Sequence, residues 1–233
     1  MFTQPTQWKN QTPQERIEYL ESLADQMASR DGRTEAINVT HGNTTSFYNN
    51  DTHTIAINAN FINQDEPYNA IESLFHESCH AQQKQVIDNP DLAESPEQLK
   101  NLQDNDIAYI QEKDDPFVYR MQAQEQQARQ SARTDMEQMF GDQGNTIYEQ
   151  HRQTRDTHDA EWDADAADHV NKQPQFQEFS GTAQDKVNQY IAQQADRIRQ
   201  QSPSTAQVEI EPTTAQAPQH DEAQQNSFAR RRT

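Results

Sequence analysis

Residues 76–80 read His-Glu-Ser-Cys-His, an H-E-x-x-H pentapeptide. On an α-helix, His76 and His80 fall on one face a turn apart, where their imidazoles can converge on one metal ion. Glu77 lies beside them, within reach of a water on that metal. Two neutral nitrogen ligands and a carboxylate base are the protein's share of zinc-assisted hydrolysis.

That chemistry needs a helix to carry it, and the segment from Pro67 to Ile87 reads as one. Ile71, Leu74, Phe75, Cys79 and Val86 recur at helical spacing and give it an apolar stripe. Pro67 suits a first helical turn, and Asn89-Pro90 ends the run. Upstream, Thr12-Pro13-Gln14-Glu15 forms a capping box for a helix whose buried stripe is Ile17, Leu20, Leu23 and Met27, ending at Asp31-Gly32. Residues 36–62 change character. Ile37 with Val39, then Phe47, then Ile55 with Ile57 predict short strands, with a turn at Asn49-Asn50-Asp51. After Pro90 the pattern is helical. Ser95-Pro96 starts one helix, Asp115-Pro116 starts another that runs to about Phe140, and residues 144–172 and 182–201 are further candidates.

Hydrolytic zinc usually has three protein ligands and an open position. Glu125 is the leading candidate for the third. It sits on the stripe of Phe117, Met121, Ala128, Ala132, Met136 and Met139, where a carboxylate facing a core needs a partner. A dication would supply one; an Arg or Lys partner, or a helix rolled to expose Glu125, are the alternatives. Glu161 is the rival, and it points away from the apolar residues near it. Asp165 with His169, His158 and His151 are weaker candidates. Cys79, the one cysteine, falls on the apolar side of the motif helix and is expected to be a buried structural thiol; no internal disulfide is possible.

Composition bounds the rest. Hydrophobic residues make up 31% of the 233, against roughly 45–50% in typical domains counted with glycine, so the core must be modest. A net charge of -19 argues against nucleic acid or an anionic membrane as partner. No apolar run reaches the ~20 residues of a membrane span, so no membrane insertion is expected. The first thirty or so residues lack a signal-peptide core, which predicts a cytoplasmic protein or one exported without a cleaved signal. From Ser202 onward Pro, Thr, Gln and Ala dominate, and 203–233, ending in Arg230-Arg231-Arg232-Thr233, is expected to be a disordered tail on a domain spanning 1–202.

The motif helix, the short strands before it and the later segment Tyr119-Arg120-Met121-Gln122-Ala123-Gln124-Glu125-Gln126-Gln127-Ala128 together resemble a zincin metallopeptidase of the gluzincin pattern, over roughly residues 35–130. The sequence departs from that pattern at Arg129, where many gluzincins carry an Asp that holds a ligand histidine. No H-x-x-G-x-x-H extension follows His80, so the metzincin pattern fails. The resemblance implies an α+β, mostly helical zincin-like domain, with a small N-terminal sheet packed on the H-E-x-x-H helix and helices after it. It also implies zinc on His76, His80 and Glu125, Glu77 as general base, and a protein or peptide substrate. It further implies an edge strand that pairs with extended substrate; His53–Asn58, with Ile55, Ala56 and Ile57 at its centre, is the candidate. Tyr119, Arg120, Tyr148 and His158 are candidate donors to the oxyanion. A small zincin of this kind also resembles bacterial effectors or toxins. Two other readings stay open. One is a non-catalytic, zinc-stabilised helical module that binds a partner through its acidic, Gln-rich surface. The other is hydrolysis of a non-peptide amide at the same site.

Overall fold

Thr12 opens the first helix, α1 (Pro13–Arg30), with both halves of its capping box in place. The Glu15 amide donates to the Thr12 hydroxyl and the Thr12 amide to the Glu15 carboxylate. Gly32, in the left-handed region at φ 65°, turns the chain out of the helix. The structure, a computed structural model, describes residues 5, 7–33, 37–42, 44–141 and 144–201.

Three strands follow: β1 (Asn38–Gly42), β2 (Phe47–Asn49) and β3 (Thr54–Asn58). They form one sheet in the order β1-β3-β2, with β3 parallel to β1 and antiparallel to β2. This corrects the expected edge strand. Ile55 pairs with Val39 on one side and Tyr48 on the other, and Ala56 with Thr40 and Phe47. Ile57 pairs with His41, and all three side chains are buried. Ile55 and Ala56 therefore have strand partners on both sides, Ile57 has one on the β1 side, and the strand is the central one of the sheet, not an edge. The physical reason is in the residues themselves. An unbroken apolar run has no face fit for water, so it belongs in the middle of a sheet. The outer positions fall to β1 and β2.

A short helix, α2 (Ala59–Ile62), leads to the motif helix α3 (Tyr68–Asp88), then α4 (Pro96–Ile107), α5 (Pro116–Met121), α6 (Ala123–Phe140), α7 (Thr146–Lys172) and α8 (Ala183–Gln201). Short 3₁₀ turns lie at Trp8–Asn10, Pro90–Leu92 and Pro174–Phe176. The class is α+β and mostly helical, with a small sheet.

The single helix expected from Asp115 to Phe140 is broken at Gln122, whose ψ is 140°. The Gln122 side chain accepts from the Ile110 amide and donates to the Ile110 carbonyl, both at 2.9 Å. Those two bonds fasten the loop after α4 and redirect the chain. The apolar stripe is thereby divided between two cores. Ala132, Met136 and Met139 join α1, the sheet and α3 around Leu20, Leu23, Ile55, Ile57, Leu74 and Phe75. Val118 and Met121 join Ala166, Val170, Phe176, Val187 and Ile191 in a second, smaller cluster.

The chain divides after Gln201. The expected tail, 203–233, lies outside the described residues. Among the described residues no helix is long and apolar enough to cross a membrane.

Candidate metal centre

Ile71, Leu74 and Phe75 are fully buried and fix the roll of α3. That roll turns His76 and His80 toward α6, with their Nε2 atoms 3.1 Å apart. Glu125 comes from the first turn of α6 and is fully buried. Its Oε2 lies 3.3 Å from His76 Nε2 and its Oε1 lies 3.4 Å from His80 Nε2. One ligand atom from each residue lies within 4.8 Å of the others, close enough for the three side chains to share one ion held ~2.0–2.1 Å from each. The polar atoms fit as well. Glu125 Oε2 is buried without a hydrogen-bond partner among the described residues, an arrangement that costs free energy and that a dication would relieve. Glu125 also sits at the positive end of a helix, which favours its carboxylate form.

Burial alone would raise the Glu125 pKa, but His76 and His80 outweigh it and hold the carboxyl well below the usual range. Burial likewise disfavours the charged form of His80, yet its hydrogen bond to Glu125 and the charges of Glu125 and Glu77 push it up to about 9. A proton on the His80 imidazole offsets the buried Glu125 charge. Glu77 is buried, and burial is the main cause raising its pKa, against the opposing pull of His76 and His80. A carboxylate raised in this way is better matched to proton transfer near neutral pH.

The orientation of the His80 ring has a visible cause. Its Nδ1 lies 2.8 Å from the side-chain amide oxygen Oε1 of Gln83, three residues along the same helix, which turns Nε2 toward Glu125. Gln83 is buried and anchored in turn, its amide donating to the Gln124 carbonyl at 3.0 Å and to Gln127 at 2.9 Å. Gln83 thus does for His80 what the residue at position 129 does not. Arg129 instead donates to the Arg120 carbonyl.

A cleft of about 650 Å³ opens beside the cluster, lined by Glu77, His80, Tyr109, Tyr119 and the β2 residues Phe47 and Tyr48. Tyr109 donates to Glu125 at 2.7 Å. Burial and the Glu125 charge push both phenols far up, so each remains a donor at neutral pH. A backbone hydrogen bond from Tyr48 also reaches Glu77, and among the described residues β2 has no partner strand on its outer side.

The other sequence candidates lie elsewhere. Glu161 is exposed on α7 and takes no part in the cluster. Asp165 is exposed, His169 faces Asp115 at 3.1 Å, and His151 faces Glu72 at 2.9 Å. Of the four proposed oxyanion donors only Tyr119 lines the cleft. Arg120 is paired with Asp159 and Asp163 at 2.7 Å each, Tyr148 is buried against Tyr68 and Phe140, and the His158 ring lies against Trp162. Two residues of the site were not among the sequence candidates. Gln83 carries a signal, the i, i+3 spacing from His80 on a helix. Tyr109 sits in a loop and carries none. Cys79 is buried, and that burial pushes its thiol up to about 12.

Comparison with protein-family models, with curated proteins and with solved structures finds no match to this chain.

Proposed function

We propose that the chain is a zinc-dependent metallopeptidase. The observation that carries this reading is the convergence of His76, His80 and Glu125 beside a cleft that His80 and Glu77 line. His76, His80 and Glu125 would hold the ion. When bound, zinc supplies Lewis acidity toward water and toward a carbonyl oxygen. Glu77 takes a proton from the attacking water and delivers it to the nitrogen of the leaving amine, so that one water and one peptide bond yield a carboxylic acid and an amine. Tyr109 holds the Glu125 carboxylate in place. Tyr119, the candidate donor that lies in the cleft, hydrogen-bonds the carbonyl oxygen as negative charge grows on it. Substrate would lie along β2, where Phe47 and Tyr48 face the cleft beside an outer strand edge; strand addition moves there from the central β3.

The test is Glu77→Gln, assayed on a mixed peptide library with zinc measured in the same preparation. The enzyme reading expects zinc retained and cleavage lost. Cleavage that survives at the wild-type rate contradicts it. Wild-type protein that holds zinc but cleaves nothing favours the non-catalytic interaction module.

A further inference from the structure

Arg33 follows the left-handed turn that ends α1, and its side chain is only 4% exposed. None of its three guanidinium nitrogens has a hydrogen-bond partner among the described residues. Among the described residues, Asp31 faces it with Oδ2 at 3.7 Å, beyond hydrogen-bond reach, while Asp31 Oδ1 is bound to Arg30 at 2.7 Å. A buried guanidinium left this way is costly, and burial pulls Arg33 down from its ordinary value. The group lines a cavity of about 150 Å³ between the β2–β3 turn and the second half of α3. At about 30 Å³ per water, that is room for a group of a few heavy atoms. Lys84, His53, Asn50 and Gln85 add polar lining. Asp88 lies there too, with its carboxylate engaged by Lys84 at 2.7 Å.

Two observations set the ligand. With Asp31 and Asp88 close by in a chain of net charge -19, a single negative charge is tolerated better than a phosphate dianion. A planar carboxylate also matches the guanidinium fork. As to location, Tyr48, Asn50 and Lys84 line both this cavity and the cleft that holds Glu77 and His80. We propose that Arg33 heads a pocket that binds one carboxylate, and that this pocket is the subsite for an acidic group of the peptide lying in the cleft. The carboxylate pocket stands on the surroundings of Arg33; its use as a subsite rests on the peptidase reading.

The experiment uses the full chain with ¹⁵N-labelled arginine. The Arg33 Nε–H signal, assigned by its loss in Arg33→Lys, is followed while acetate, inorganic phosphate, and a peptide as free acid or as amide are added in turn. The expected result is a saturable shift with acetate, and binding of the acid peptide at least about tenfold tighter than either acetate or the amide, a gap of about 1.4 kcal/mol. No saturable shift with acetate, or a shift with phosphate alone, overturns the pocket. Equal binding of acid and amide peptides overturns the subsite. If Arg33→Lys folds poorly, Arg33→Gln supplies the assignment and the wild-type titration is read in the same way. Because it reads binding and not turnover, a failed peptidase reading shows in the zinc and cleavage measurements, and not here.

Discussion

The two cores of this chain are built differently, and only one of them carries the candidate site. The first packs α1, the sheet, α3 and α6 around large aliphatic and aromatic side chains, and it accommodates buried Glu77, Gln83 and Glu125 along the α3–α6 seam. The second joins α5, α7 and α8 through a smaller apolar set. Ion pairs with a buried member add to it: Arg120 with Asp159 and Asp163 beside this cluster, and Arg199 with Asp104 between α8 and α4. Buried polar groups along the first seam need partners and fixed rotamers, which a dense core provides. The second cluster is suited to bracing α5, and through Gln122 it sets where α6 begins and hence where Glu125 stands.

Deleting core volume should give the largest effects and separate the two regions. Leu74→Ala removes a fully buried side chain two residues before His76, and should cost about 2–5 kcal/mol and weaken zinc binding as α3 shifts. Ile191→Ala, equally buried in the second cluster, should destabilise by a similar amount with zinc stoichiometry intact. Denaturant melts beside metal analysis check both. Loss of zinc in Ile191→Ala alone would reverse the comparison.

Next come the polar groups on the seam. Gln83→Ala frees the His80 ring and should weaken zinc about 10–100-fold. Glu125→Ala should weaken it more, since a direct ligand is gone, while Glu161→Ala should leave it unchanged. Competition with a chelator at one pH ranks the three, and Glu161→Ala falling below Glu125→Ala would move the third ligand to α7.

The pH effect is smaller. His80 has its pKa raised from 6.5 to about 9. The metal-free fold therefore gains from that proton fully below pH 6.5, and loses the gain as the pH climbs through 9. Zinc competes for the same nitrogen, so its affinity should rise by up to about tenfold per pH unit between about pH 7 and about pH 8.5. A flat profile over that range would show that His80 is not displacing a proton.

How much of this was legible beforehand follows from the physics of each element. The capping box at Thr12, the stripe of α3 and the convergence of His76 with His80 are local, and spacing alone exposes them. The stripe that singles out Glu125 as a candidate spans both cores. Met121 belongs to the other core, yet Ala128 and Ala132 do share the face of Glu125. The break at Gln122 was hidden because it depends on a loop amide and carbonyl twelve residues away, and no local propensity encodes that. The strand order was readable in part: Ile55-Ala56-Ile57 has no polar alternation, which favours a central strand over an edge. Tyr109 has no signal, since only the fold of its loop brings it to Glu125.

The most direct test of the central claim is the zinc content of full-length protein purified without chelator, measured by elemental analysis beside His76→Ala. The account predicts one zinc per wild-type chain and a clear loss in the variant. Wild-type protein with no stoichiometric metal, or a His76→Ala variant that keeps its zinc, would contradict it.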